Sequence, residues 1–166
     1  ILLEYSHKYL EEQEYLKAAE ITEQAAEMLL DAGKDEEAAE LAATESYYLI
    51  EHGAVDTGIG VLEKSAAIYE SLDMNIKTGE VLFEGAKALA QRDMFATSIA
   101  NISRAVSIFE DLDELERIKE IANQCVIIAE GLTNKHNDTA AKLFINQSTE
   151  FYNLPGVSVD TQSDAI

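Results

Sequence analysis

The chain has no tryptophan, one proline, one cysteine, and only 12 lysines and arginines against 32 aspartates and glutamates. Each shortage excludes something. The one proline, Pro155, lies near the end, so most of the chain has no fixed helix breaker, and eight glycines in 166 residues add few weak points. With Ala, Glu, Leu and Ile plentiful, this is the composition of an all-α protein. A lone Cys125 cannot form an internal disulfide; in the apolar run Cys-Val-Ile-Ile-Ala it reads as a buried, inert thiol, and a reducing, cytoplasmic setting follows. No apolar run approaches the roughly 20 residues of a membrane span. The N-terminus lacks the basic segment and apolar core of a secretory signal, so the Asn-x-Ser/Thr triplets at Asn101, Asn137 and Asn146 read as accidental. The shortage of bases leaves a net charge of −20. That opposes nucleic-acid binding and adhesion to anionic lipid, and favours basic partners. Residues 1–53 are the most acidic part, with 14 acids and 3 bases.

What is present is a repeat. Ile59–Asp73 returns as Ile99–Asp113, 40 residues on, with Ile59/Ile99, Ile68/Ile108, Glu70/Glu110, Leu72/Leu112 and Asp73/Asp113 identical. Leu62/Ile102, Lys64/Arg104 and Tyr69/Phe109 are chemically matched, and a weaker copy over Ala19–Gly33 keeps Glu23, Ala26 and Met28 in register. Self-similarity at such a period is the mark of stacked helical hairpins.

Apolar spacing predicts about eight helices, over 2–13, 15–32, 35–52, 56–72, a fifth ending near Arg92-Asp93, 95–112, 114–132 and 138–152. Gly33 and Gly131 are read as helix stops, Asp73 as punctuation, Asp35 as a cap and Asp56 as a helix opener. Expected core positions include Leu16, Met28 and Leu29 in the second helix and Leu143, Phe144, Ile145 and Phe151 in the eighth. Helices of this length joined by short turns run antiparallel. The expected fold is therefore all-α, a right-handed superhelical stack of antiparallel helical hairpins that is tetratricopeptide-like. Residues 1–153 form the repeat domain, and 154–166 an extended or frayed tail leading to a missing C-terminal region. Small residues at Ala66, Ala67, Ala86, Ala88 and Ala105 let neighbouring helices approach closely.

The Trp-containing signature and inter-repeat Pro of 34-residue tetratricopeptide repeats are missing, and the period is 40. Ala66-Ala-Ile-Tyr-Glu70 and Val106-Ser-Ile-Phe-Glu110 follow an Ala-x-x-Tyr/Phe-Glu pattern, Glu84-Gly-Ala-Lys87 leads into Ala88–Phe95, and Asp138-Thr-Ala-Ala-Lys142 is followed by Ser148 and Leu154-Pro-Gly-Val157. Together these resemble the soluble NSF attachment proteins, the SNAPs, and most of all their gamma branch. The last segment is similar to that family's Ser-x-Pro-Gly-Phe turn, with Val157 in place of Phe. The resemblance implies the central part of a non-enzymatic adaptor that wraps SNARE bundles and recruits the ATPase NSF for SNARE disassembly in vesicle-mediated transport and membrane fusion. It implies a cytoplasmic protein peripheral to membranes, attached through partners or through segments outside this chain.

Acidic SNARE surfaces would be met by a row of bases: Lys64, Lys87, Arg92, Arg104, Arg117, Lys119, Lys135 and Lys142. Lys64 and Arg104, equivalent in the repeat, should project alike. The plainer reading pairs each with a nearby glutamate such as Glu63 or Glu84, in contacts worth little. The acidic groups Asp35–Glu37 and Asp111–Glu116 sit at helix starts, where compensation of the helix dipole explains them better than a dock for a basic partner. Tyr47, Tyr48, Tyr69 and Phe109 have core spacing. No catalytic or metal-binding pattern joins His7, His52 and His136, and Gly58-x-Gly60 lacks the strand and third glycine of a nucleotide loop, so neither enzyme activity nor a cofactor is expected. Two other readings remain: a generic tetratricopeptide-like scaffold for an unrelated complex, and a helical-bundle enzyme or carrier, which needs a deep polar pocket.

Overall fold

The first six described helices start 20 residues apart. A computed structural model of the chain describes Tyr9 and residues 14–157, Leu16 by its backbone alone. Among these residues there are seven α-helices and no strand: α1 (Tyr15–Asp31), α2 (Asp35–Glu51), α3 (Val55–Ser71), α4 (Asn75–Gln91), α5 (Phe95–Asp111), α6 (Leu115–Asn134) and α7 (Asp138–Tyr152). The first five are each 17 residues long. A three-residue link follows each of them, so two helices and two links make the 40-residue period. Of the expected helix over 2–13 only Tyr9 is described, and it is helical; the rest lies outside the described residues.

One turn is used six times. The second residue of each link has positive φ: Gly33 (70°), Gly53 (96°), Asp73 (56°), Asp93 (60°), Asp113 (59°) and His136 (60°). In every case its N–H and that of the next residue turn back on the helix just finished. After α3, for example, Asp73 N donates to the Glu70 carbonyl (3.1 Å) and Met74 N to the Tyr69 carbonyl (2.9 Å). This is the Schellman arrangement, which satisfies the last carbonyls of a helix. It also brings an apolar residue of the link onto the final turn: Met74 packs in one cluster with Tyr69, Ala54 with Leu49, and Met94 with Leu89. Three of the six left-handed positions are aspartates, which carry a steric cost that Gly avoids. Replacing Asp73 or Asp113 by Gly, as Gly33 and Gly53 already stand, is expected to raise stability by about 0.5–1 kcal/mol. Unfolding in urea measures it; a loss would mean that the carboxylates hold the turns.

The boundaries correct several expectations. Gly131 does not stop α6, which runs on to Asn134 and turns at His136 instead. A glycine inside a helix weakens it only modestly, and here Leu132 is buried and keeps the last turn packed. Asp35 is not a cap: Lys34 holds that place without a side-chain bond, and Asp35 is already helical. Likewise Val55, not Asp56, opens α3. Asn137 does cap α7 through its side chain, accepting from Ala140 N at 3.2 Å.

The chain divides into two compact units, residues up to Ala105 and from Val106 onward. In the first, α2 packs against α1, α3 and α4, α3 against α4, and α1 touches α3. Each helix thus meets its neighbour and its next-but-one. In the second, α6 packs against α7, and Phe144, Phe151 and Cys125 are buried. The end of the described chain returns to this unit: Val157, expected in a loose tail, is fully buried, and Gly156 faces Leu115. The rest of that tail, from Ser158, lies outside the described residues. α3 and α5 show the same burial at every position but one, Val61 being half-buried where Asn101 is buried. Ala66, Ala86, Ala88 and Ala105 are buried as expected, whereas Ala67 is exposed. Met28, Leu143 and Ile145, expected in the core, are exposed.

Candidate functional site

The repeat carries a ladder of ion pairs. Glu23 and Glu63 stand 40 residues apart on α1 and α3, and Lys64 and Arg104 stand 40 apart on α3 and α5. Lys64 bridges back to Glu23, and Arg104 Nη1 to Glu63 Oε1 at 2.7 Å. α3 thus reaches back to α1, and α5 to α3, with the same pair of positions. All four side chains are exposed, so each bond is worth at most about 1 kcal/mol. The pairs specify which helix sits beside which more than they stabilise.

The other bases of the expected row are placed as follows. Lys87 lies beside Glu84 at 2.6 Å with its ammonium over the Phe83 ring, 5.2 Å from the centroid. Arg92, in the link after α4, is exposed and brings its guanidinium close to Gly53. With Lys64 and Arg104, these two belong to the first unit. In the second, Arg117 lies 3.5 Å from Glu114 and over Phe109, Lys119 is 2.7 Å from Glu116, and Lys135 and Lys142 are exposed. The structure thus gives Lys64 and Arg104 equivalent settings, and gives five of the eight bases local partners three residues away or ladder partners one hairpin back, with Lys87, Arg117 and Lys119 of the first kind. The acidic residues Asp35, Glu36 and Glu37 occupy the first turn of α2, where Glu37 also takes Lys34 at 2.9 Å.

Tyr69 and Phe109 are buried, and Tyr47 and Tyr48 half-buried. Tyr47 donates its hydroxyl to the Val81 carbonyl at 3.4 Å; burial, then the charge of Glu84, hold its proton on well above the usual range. His52 stacks on Tyr48 at 3.9 Å between ring centroids, nearly parallel, with Tyr15 tilted at 6.1 Å. Its Nδ1 lies 2.9 Å from the Tyr48 carbonyl. Cys125 has no exposure, and burial pushes its thiol up to about 12, so it does not supply a thiolate at neutral pH. Gly58 and Gly60 lie inside α3, not in a loop. Among the described residues no group of three or more His, Cys, Asp or Glu is placed to hold a metal ion, and no helix is long and apolar enough to cross a membrane.

A feature not read from the sequence is an apolar cleft of about 320 Å³ between α1 and α3. The signal for it was present: Thr22 and Ala42 are small where the next hairpin has Leu62 and Leu82. Compared with known proteins, the chain matches no family model and no curated protein.

Proposed function

We propose that this chain is a non-enzymatic adaptor of the gamma-SNAP kind, a piece of a right-handed superhelical stack of hairpins that binds SNARE complexes and recruits NSF. The observation that supports the reading is the ladder Glu23–Lys64 and Glu63–Arg104, repeated at the hairpin period. It sets side by side helices that are not consecutive in the chain, as a stack of hairpins does, and it leaves two cations on one kind of surface. The pairs are exposed and weak, so an acidic partner can take Lys64 and Arg104 from their glutamates at small cost. In this reading the protein works in the cytoplasm at membrane surfaces, within vesicle trafficking, and ATP hydrolysis belongs to NSF.

Co-sedimentation with an assembled SNARE bundle, with and without NSF, at low and high salt, tests it. Salt-sensitive binding that then brings NSF down is expected. The double change Lys64→Glu and Arg104→Glu should weaken binding by about tenfold or more, with the circular dichroism unchanged. Unaltered affinity would remove both residues from the interface. A second reading, a generic helical-repeat scaffold for another complex, is favoured by the net charge of −20, which suits basic partners better than acidic ones. A folded chain that ignores the SNARE bundle at every salt concentration would leave that reading alone.

A further inference from the structure

The cleft between α1 and α3 comes from side-chain size. Thr22 and Ala42, both buried, line it. Their counterparts one period later, Leu62 and Leu82, have no exposed surface. Where hairpin two is filled, hairpin one is open. The space is at the lower end of the roughly 300–1,000 Å³ of clefts that take ligands, enough for one or two side chains rather than a cofactor. Leu30, Val61 and Ile68 give it apolar walls, and Leu30 is 38% exposed at its edge.

Its rim is anionic. Glu20, Glu23, Glu27 and Asp31 follow one another at helical spacing along the exposed side of α1, and Glu23 and Glu27 border the cleft. Lys64 is the one base lining it and already faces Glu23, while Glu27 has no cationic partner among the described residues. A fatty acid would bring its carboxylate against this rim. A second copy of a chain with net charge −20 would bring like charge. The complementary occupant is a cationic helix with a large aliphatic anchor.

We infer that the cleft between α1 and α3 is a docking slot for an apolar side chain carried on a lysine- or arginine-rich amphipathic helix of a partner protein. The slot shares Lys64 with the proposed SNARE-facing row, but it is argued from its apolar filling and acidic rim and stands whether or not the adaptor reading holds. The probe is a fluorescein-labelled synthetic helix of lysine and leucine, leucines at i, i+4 and i+7, titrated by anisotropy against the full chain. Two control peptides change the leucines to alanine or the lysines to glutamate. The lysine–leucine peptide should bind and both controls should not. Thr22→Leu with Ala42→Leu, which copies the filling of hairpin two, should weaken binding by about tenfold or more, the loss of a buried anchor. Glu23→Gln with Glu27→Gln, on exposed positions that leave the core alone, should weaken it several-fold, and it keeps the test open if the filled variant does not fold. Unchanged affinity in a folded filled variant or in the glutamine variant would overturn the inference. So would equal binding of the alanine peptide, which would show charge acting alone. A dimer in sedimentation that the filled variant dissolves would assign the slot to a second copy and also overturn it.

Discussion

Replacing Gly58 by leucine is expected to lower the unfolding free energy by about 3 kcal/mol or more, near the upper end of what overpacking does. Gly58 is where α3 crosses α2. A Cβ there would stand 2.6 Å from Ile50 Cγ1, 2.9 Å from the Ser46 carbonyl oxygen and 3.0 Å from Ile50 N. Two of these are backbone atoms of α2, which cannot swing aside as a side-chain tip can. Substituting alanine returns about 1 kcal/mol of helix propensity, and the clash outweighs that. Gly60, two residues on, is an internal control: it is exposed, with nothing within 4 Å of its would-be Cβ, so Gly60→Ala should stabilise by about 1 kcal/mol. The same substitution on one helix is thus expected to have opposite signs at positions 58 and 60. Urea unfolding of the three variants decides it, and a Gly58→Leu protein as stable as the parent would mean that α2 and α3 do not cross there. One period later the site holds Ser98, which donates from its Oγ to the Ala86 carbonyl at 2.7 Å. Ala86 is the counterpart of Ser46, so the two crossings share a geometry but differ in closeness.

The second large effect is alkaline. Buried Cys125 keeps its proton up to about pH 12 in the folded chain, whereas an unfolded thiol ionises near pH 9. Below pH 9 both states hold the proton and the thiol adds no pH dependence. Between about 9 and 12 the unfolded state alone releases it, so stability falls as pH rises, by up to about 1.4 kcal/mol per unit and about 3 kcal/mol by pH 11. The Tyr47 and Tyr69 hydroxyls are raised as well, by burial first and by nearby glutamates second, and add to the decline above pH 10. Cys125→Val should remove the slope that begins near pH 9 and leave the tyrosine part. Stability curves at pH 8, 9, 10 and 11 for both proteins measure it. Parallel curves would show that the thiol is reached by water in the folded state. In the same range the native thiol should resist maleimide until urea opens the second unit.

Much of the helical layout was legible because the signals are local. Gly33 turns with φ 70° because glycine has no Cβ to clash, and Asp73 and Asp113 stand in the same conformation at the same place in the period. Gly131 misled because glycine permits a turn without requiring one; the Leu132 side chain, buried in the second unit, carries α6 three residues further. Met28, Leu143 and Ile145 have the hydrophobicity of core residues, yet the neighbouring helices do not cover them. Periodicity records a residue's angle on its own helix, and the placement of the next helix is a tertiary matter.

The basic row divides in the same way. That Lys64 and Arg104 share a setting follows from a 40-residue repeat of chemistry. That they reach back to Glu23 and Glu63, 41 residues earlier, depends on how closely α3 lies to α1 and α5 to α3. The cleft is likewise a product of packing: Thr22 and Ala42 are unremarkable residues until α1 and α3 are held at the spacing that Leu62 and Leu82 fill in the next hairpin.

By itself the amino-acid order determined an all-helical chain, its 20-residue cadence, the glycine and aspartate turns and the equivalence of Lys64 with Arg104, because backbone conformation and helix period are set within a few residues. Only the tertiary structure decided which apolar residues are covered, which carboxylate each base meets, where Gly58 is indispensable and where an apolar opening with an acidic rim is left. Those depend on distances between helices, which are set by the summed packing of side chains far apart in the sequence.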